Sequence, residues 1–173
     1  EDHTTVDGRL AIVRSLRRAF PPDVGTVLQA YLRRTEDDCA EFASSGARIR
    51  LCKGAYAEPP SVAYPPDRRQ IDEAYLRCLR ILMKGNGYPM VASHDPTMIE
   101  AASIMPRSSI AVRTPGNTRC STASAPTSSA GSWGSGAHVR VYIPYGSEWY
   151  GYFVRRLAEK PANLGFFLRA LAG

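Results

Sequence analysis

"ARIRLCKG", residues 47–54, alternates its character at every step. Ala47, Ile49 and Leu51 fall on one side of an extended chain, and Arg48, Arg50 and Cys52 on the other. A strand of this kind lays its apolar side on a core and gives its arginines a polar partner on the opposite side. Lys53 and Gly54 then sit at the mouth of the strand, where a glycine lets the backbone approach an anion and expose its N–H groups. Taken alone, the segment is equally compatible with Arg50 and Lys53 merely capping a strand end. Neither a P-loop nor a G-x-G-x-x-G turn accompanies it, so a classical nucleotide fold has no support.

Outward from this strand the chain alternates helix and strand. On the C-terminal side, Ile71, Tyr75, Cys78, Leu79 and Leu82 recur at helical spacing from about Asp67, with Gly85 just past the end. "YPMVASHD" (88–95) reads as an apolar strand, and "PTMIEAASIM" (96–105) as a short helix with proline at its start. On the N-terminal side, Thr35 and Asp38 form a capping-box pattern opening a helix that ends near Gly46. "VGTVLQAYL" (24–32) reads as a buried strand. A first helix starts at Asp7 as N-cap, carries Leu10, Val13, Leu16 and Phe20 on its apolar stripe, and stops at Pro21 and Pro22. Beyond residue 136 come a strand, "HVRVYIPYG" (138–146), and helices over 148–160 and 161–172. This rhythm predicts an α/β protein with a parallel sheet covered by helices. Polar residues collect at the strand C-terminal ends: Gln29, then Arg50 and Lys53, then Ser93, His94 and Asp95, then Tyr142 and Tyr145. In β/α barrels and open α/β sheets alike, that edge binds ligands.

Composition sets the outer limits. With 173 residues, 44% of them hydrophobic and 22% charged, the chain fits one globular domain. No apolar run approaches the ~20 residues of a membrane span. The opening "EDHTTVDGRL" lacks the basic and apolar parts of a signal peptide, and its lack of an initial Met fits a fragment. Cys39, Cys52, Cys78 and Cys120, with His3, His94 and His138, show no zinc spacing, so no metal is expected and a reducing, cytoplasmic setting fits. The net charge of +6 is spread through helix-like segments, which favours solvated faces and a few anion-binding arginines over a nucleic-acid groove.

Two further segments carry candidate chemistry. "SHD" (93–95) holds a hydroxyl, an imidazole and a carboxylate, but neighbours on a strand point to opposite faces and cannot form a relay. A hydrogen-bonding role for His94 follows. "YGYFVRRL" (150–157) puts Tyr152 and Arg155 on one helical face with Arg156 beside them, the makings of a bidentate carboxylate clamp. The alternative is a solvated arginine pair.

These pieces in this order resemble the proline dehydrogenase family: "EDHT", "VLQAYLRRT", "RLCKGAYAEP", "YPMVASHDP", "VRVYIPYGSEWYGYFVRRLAE" and "PANLGFFLRAL". The resemblance covers nearly everything outside 110–136 and is closest to short monofunctional enzymes of the actinobacterial type. It implies about five strand–helix units, the C-terminal portion of a distorted (β/α)8 TIM-like barrel, with FAD at the strand C-terminal ends. It implies oxidation of L-proline to Δ1-pyrroline-5-carboxylate by hydride transfer to flavin N5, the first step of proline catabolism. Gln29, Arg50, Lys53, Gly54, Ala55, Ser93 and His94 would contact FAD, with Arg50 stabilising the reduced ring. Arg155 and Arg156 would clamp the proline carboxylate, Tyr142 and Tyr152 would wall the pocket, and Tyr56 would help close it. Electrons would pass to a quinone at the inner face of the membrane, a peripheral encounter, and pyrroline-5-carboxylate dehydrogenase is a further implied partner. The strands that carry the family's active-site Asp and a substrate-binding Lys would precede this sequence. An inactive fragment or pseudogene product of the same family is the alternative.

One stretch breaks the pattern. From Thr114 to Gly136, 19 of 23 residues are Ser, Thr, Gly, Ala or Pro, where the family carries a strand typically reading close to "FEFQMLYG". Codons for 113–133 can be chosen so that reading from the third base yields "DSWEYQMLYGIRTDEQRRLV", which restores that strand and an amphipathic helix. The observed residues largely dictate two bases of each shifted codon, so a seven-residue match has few ways to arise by chance. The expectation is an aberrant out-of-frame segment at 113–133 closed by two compensating shifts, with disorder across 114–135. A genuine low-complexity linker is the alternative.

Overall fold

The computed structural model describes residues 2–21, 23–54, 56–93, 95–105, 117–121, 138–142, 146–147 and 150, with the backbone alone in 117–121 and 138–142. A 3-10 turn at His3–Thr5, capped by the Asp2 carboxylate accepting from the Thr4 N–H, leads into helix α1, Val6–Ala19. Asp7 is therefore not the N-cap. It lies in the first helical turn, where its carboxylate meets Arg34. Val6, Leu10 and Val13 are buried, but Leu16 and Phe20 are 45% and 57% exposed, against expectation. Each i+3 step at 100° per residue turns ~60° around the helix. From Leu10 through Val13 to Leu16 the direction has thus swung away from the core.

Strand β1, Gly25–Gln29, is followed by α2, Thr35–Ser44, and β2, Arg48–Cys52. The expected capping box is not formed. Arg34 is the N-cap, the buried Thr35 hydroxyl donates to the Gln29 carbonyl at 2.6 Å, and Asp38 accepts from Arg34 at 2.9 Å. A threonine facing a strand end joins the Leu32 N–H, at 3.1 Å, in donating to that carbonyl. Helix α3, Arg68–Lys84, is capped by Asp67, and α4, Pro96–Ile104, by Asp95, with β3, Tyr88–Val91, between them. Gly85 ends α3 without a left-handed turn; a side chain there would stand 2.5 Å from the Cβ of Ala43, so close packing of α3 on α2 requires the glycine.

Strands β4, Asn117–Ser121, and β5, His138–Tyr142, complete a parallel sheet in the order β1-β2-β3-β4-β5. The expectation of disorder across 114–135 is thereby corrected for 117–121, which pairs with β3 on one side and β5 on the other.

Alternation in β2 holds as read. Ile49 and Leu51 are buried, while Arg48, Arg50 and Cys52 are half-buried. Leu28 pairs with Leu51, and Leu51 with Val91, in one register row. Together with Phe42 from α2 and Tyr75, Cys78 and Leu79 from α3, they form the core. Fully burying one such side chain contributes roughly 1.5–3 kcal/mol. The Tyr75 hydroxyl, taken into this core, donates to the Leu51 carbonyl at 3.2 Å. Helix α2 packs on α3, and α3 on α4, so the helices form a continuous layer. The alternate register row, Val27, Arg50 and Met90, belongs to the other face. On that face, near the strand starts, Arg48 stacks on Tyr88 at 4.7 Å.

Candidate functional site

The C-terminal ends of β1, β2 and β3 bring together Gln29, Arg50, Lys53, Gly54 and Ser93. Gln29 is buried and pairs in register with Cys52, two residues beyond the Val27–Arg50 pair. Among the described residues, the buried Nε of Arg50 has no hydrogen-bond partner. A buried guanidinium donor left unmatched is expensive. Its presence on the sheet face away from the helices marks a place that a polar ligand atom would satisfy.

Lys53 leaves the end of β2 and places its ammonium between two carboxylates, Asp72 of α3 and Asp95 at the start of α4, the latter at 2.8 Å. Arg68 reaches Asp95 at 3.0 Å from the solvent side. Asp95 also accepts from the Thr97 N–H at 3.1 Å as the cap of α4, and its own N–H donates to the Ser93 hydroxyl at 3.1 Å. The Lys53 ammonium holds the Asp95 carboxyl far below the usual carboxylate range; burial opposes this and Arg68 reinforces it. The folded pKa is depressed, so this contribution is complete above the unfolded value of about 3.9 and fades as pH falls toward the folded one. Replacing Asp95 by Ala removes a cap and a partly buried pair, an expected loss of about 2–3 kcal/mol at pH 7. Urea titrations at pH 7 and pH 3 check it: the deficit should shrink in acid, and an equal deficit at both would contradict the ion-pair origin.

Gly54 adopts φ +93°, and a Cβ there would fall 2.0 Å from the Tyr31 ring. Only glycine lets this turn pass over Tyr31, so the backbone is presented where a side chain would otherwise stand. Tyr56 follows in the loop, 51% exposed. Tyr142 is placed by its backbone alone, at the C-terminal end of β5 in register with Ser121, on the same sheet edge. Ala55, His94, Tyr152, Arg155 and Arg156 lie outside the described residues.

Several participants were not visible to sequence reasoning. Asp72 and Glu58 carry no local signal, because their partners are distant in the chain: Lys53 is 19 positions from Asp72, and Glu58 is 55 from His3. Asp95 did carry one, since an Asp before Pro at a helix start is an N-cap pattern. Among the described residues no cluster of His, Cys, Asp or Glu could hold a metal ion, and no helix is long and apolar enough to cross a membrane.

The family model of proline dehydrogenase matches residues 1–169. Proline dehydrogenase 2 of Bacillus subtilis (strain 168) is 34% identical over 171 residues, covering 99% of this chain and 56% of that protein. A proline dehydrogenase of Deinococcus radiodurans is 37% identical over 178 residues, covering 99% of this chain and 55% of that protein. The chain thus spans little more than half the length of these relatives. The crystal structure of proline utilization A (PutA) from Bdellovibrio bacteriovorus, inactivated by N-propargylglycine, superposes with a TM-score of 0.76 at 24% identity over 91% of this chain and 19% of that one, a likeness of fold alone. With a family match running almost from end to end and relatives above 30% identity, this chain belongs to the proline dehydrogenase family.

Proposed function

We propose that this chain is the C-terminal part of a flavin-dependent oxidase of L-proline, with a barrel architecture completed by strands outside the described set. The observation that carries the reading is the sheet edge itself. Five parallel strands wind in sequential order without reversing, as in a β/α barrel and unlike a doubly wound sheet, and ligands bind such barrels at the strand C-terminal ends.

The residues at that edge suit FAD. Arg50 offers a buried donor in need of an acceptor, Gly54 offers backbone without a side chain, and Gln29 and Ser93 offer polar atoms in a buried setting. When bound, FAD supplies a two-electron acceptor for the hydride leaving the proline carbon next to nitrogen. Arg50 places a fixed positive charge where negative charge would accumulate during that transfer. Arg155 and Arg156 grip the substrate carboxylate and set distance and angle, which is how such clamps accelerate a reaction. Tyr142, Tyr152 and Tyr56 exclude water around the small ring. Electrons leave to a quinone at the membrane surface.

Lys53 stands by the flavin contact the resemblance suggests, and its ammonium also pairs with Asp72 and Asp95, so it ties the end of β2 to α3 and to the start of α4. Replacing Arg155 by Met should raise the KM for proline about thirtyfold with a smaller change in kcat, from loss of one charge-assisted bidentate contact. Proline:quinone turnover in the frame-restored, full-length protein measures it; an unchanged KM would remove Arg155 from the clamp.

We further propose that 113–133 is read out of frame. The nucleotides that encode β4, Asn117–Ser121, are those that encode Glu-Tyr-Gln-Met-Leu in the shifted frame. The sheet thus takes a strand from the same stretch in which the shifted frame hides an apolar one. Resequencing the DNA should find a one-base difference on each side of this segment if the error lies in the sequence record; an unbroken read places the lesion in the gene.

A further inference from the structure

The loop between β2 and α3 carries Gly54 and Tyr56, and its two ends are fixed by backbone bonds to one residue. Tyr31 donates its N–H to the Lys53 carbonyl and accepts from the Tyr64 N–H, each at 2.8 Å. The middle of the loop is secured by Arg33 and Glu58. Arg33 donates from its side chain to the Pro60 carbonyl at 3.0 Å and from its N–H to the Val62 carbonyl at 2.9 Å, and Glu58 ties the loop to the N-terminal segment.

The Glu58 side chain is 5% exposed. Its Oε1 accepts from the His3 backbone N–H at 2.9 Å and from the Tyr31 hydroxyl at 3.3 Å, and its Oε2 meets His3 Nδ1 at 2.5 Å. One carboxylate therefore joins the start of the chain, the mouth of β1 and the loop. The Tyr31 ring it anchors is the surface over which Gly54 turns at φ +93°. If the ring moves, the turn loses its support.

We propose that Glu58 is a positioning residue, which through Tyr31 and His3 fixes the Gly54 turn and the course of Tyr56 over the cofactor edge. The proposal rests on the flavin reading for its purpose, but its geometry is testable without it. Burial pushes the Glu58 carboxyl up, while the His3 N–H, the His3 ring and the Tyr31 hydroxyl outweigh that and leave it below the ordinary value. The groups facing this pair among the described residues are Asp2 from the N-terminal segment, Tyr31 from the mouth of β1 and Tyr56 from the loop.

Glu58→Ala and Glu58→Gln separate positioning from simple structural support. Alanine removes all three bonds. Glutamine keeps them, since its oxygen accepts from the His3 N–H and Tyr31 and its amide donates to Nδ1. Amide hydrogen exchange on the chain as it stands should show residues 54–58 exchanging at least tenfold faster in Glu58→Ala, with the amides of α3 unchanged. Glu58→Gln should match the parent. The FAD dissociation constant, read by quenching of flavin fluorescence, should rise at least fivefold in Glu58→Ala and recover in Glu58→Gln. Unchanged loop exchange in Glu58→Ala, or equal acceleration in α3, would overturn the proposal. If the parent chain binds no FAD, the flavin reading fails on that count, and loop exchange alone still decides the role of Glu58.

Discussion

Replacing residues 113–133 by the shifted-frame sequence is expected to stabilise the chain by at least about 5 kcal/mol. Strand β4 lies between β3 and β5 and is paired to both. Central parallel strands are covered on both faces and are built from near-continuous apolar residues. The sequence at this position is Asn-Thr-Arg-Cys-Ser, which offers no large apolar residue and puts an arginine at a central position of the sheet. The shifted frame puts Tyr, Met and Leu in its place, at roughly 1.5–3 kcal/mol for each side chain buried. The following amphipathic helix adds its own apolar stripe. Urea unfolding of the two proteins side by side measures the difference. A higher midpoint with a larger m-value, reporting more surface buried, is the expected result; an unchanged or lower midpoint would refute the out-of-frame reading.

The second large effect belongs to Arg50. In the frame-restored, full-length protein, Arg50→Met should slow reduction by proline about 10²–10³-fold, the usual loss when a preorganised donor at a site of developing charge is removed. The buried Arg50 Nε has no hydrogen-bond partner among the described residues. A residue held for stability alone would be expected to find a partner for it. Methionine keeps the volume and apolar stem but not the charge, so the fold should survive with its unfolding midpoint little changed. Single-turnover kinetics at saturating proline separates the chemical step from binding. A rate within fivefold of the parent would show that Arg50 does not serve the reaction.

Much of the edge that holds these groups was legible because its signals are local. Alternation in 47–52 assigned Arg50 to one face and Ile49 and Leu51 to the other, and the burial of those residues agrees. Proline at the start of α4 and glycine after α3 marked helix ends in the same way. What escaped were contacts that the chain makes with itself over long distances. Lys53 looked like a free cation at a strand mouth, and its neutralisation by Asp72 and Asp95 depends on how α3 and α4 pack. Thr35 looked like a helix cap, but it lies inside α2 as its first residue, and its buried hydroxyl donates to the Gln29 carbonyl. Leu16 and Phe20 looked like core residues because i+3 and i+4 spacing was read without following the angular drift it accumulates.

The most direct test is an anaerobic addition of L-proline to the frame-restored, full-length protein reconstituted with FAD, followed by absorbance near 450 nm. The account predicts a yellow protein whose flavin band bleaches on proline and returns with a soluble quinone. A folded protein that takes up no flavin, or one whose flavin band persists at saturating proline, would contradict it.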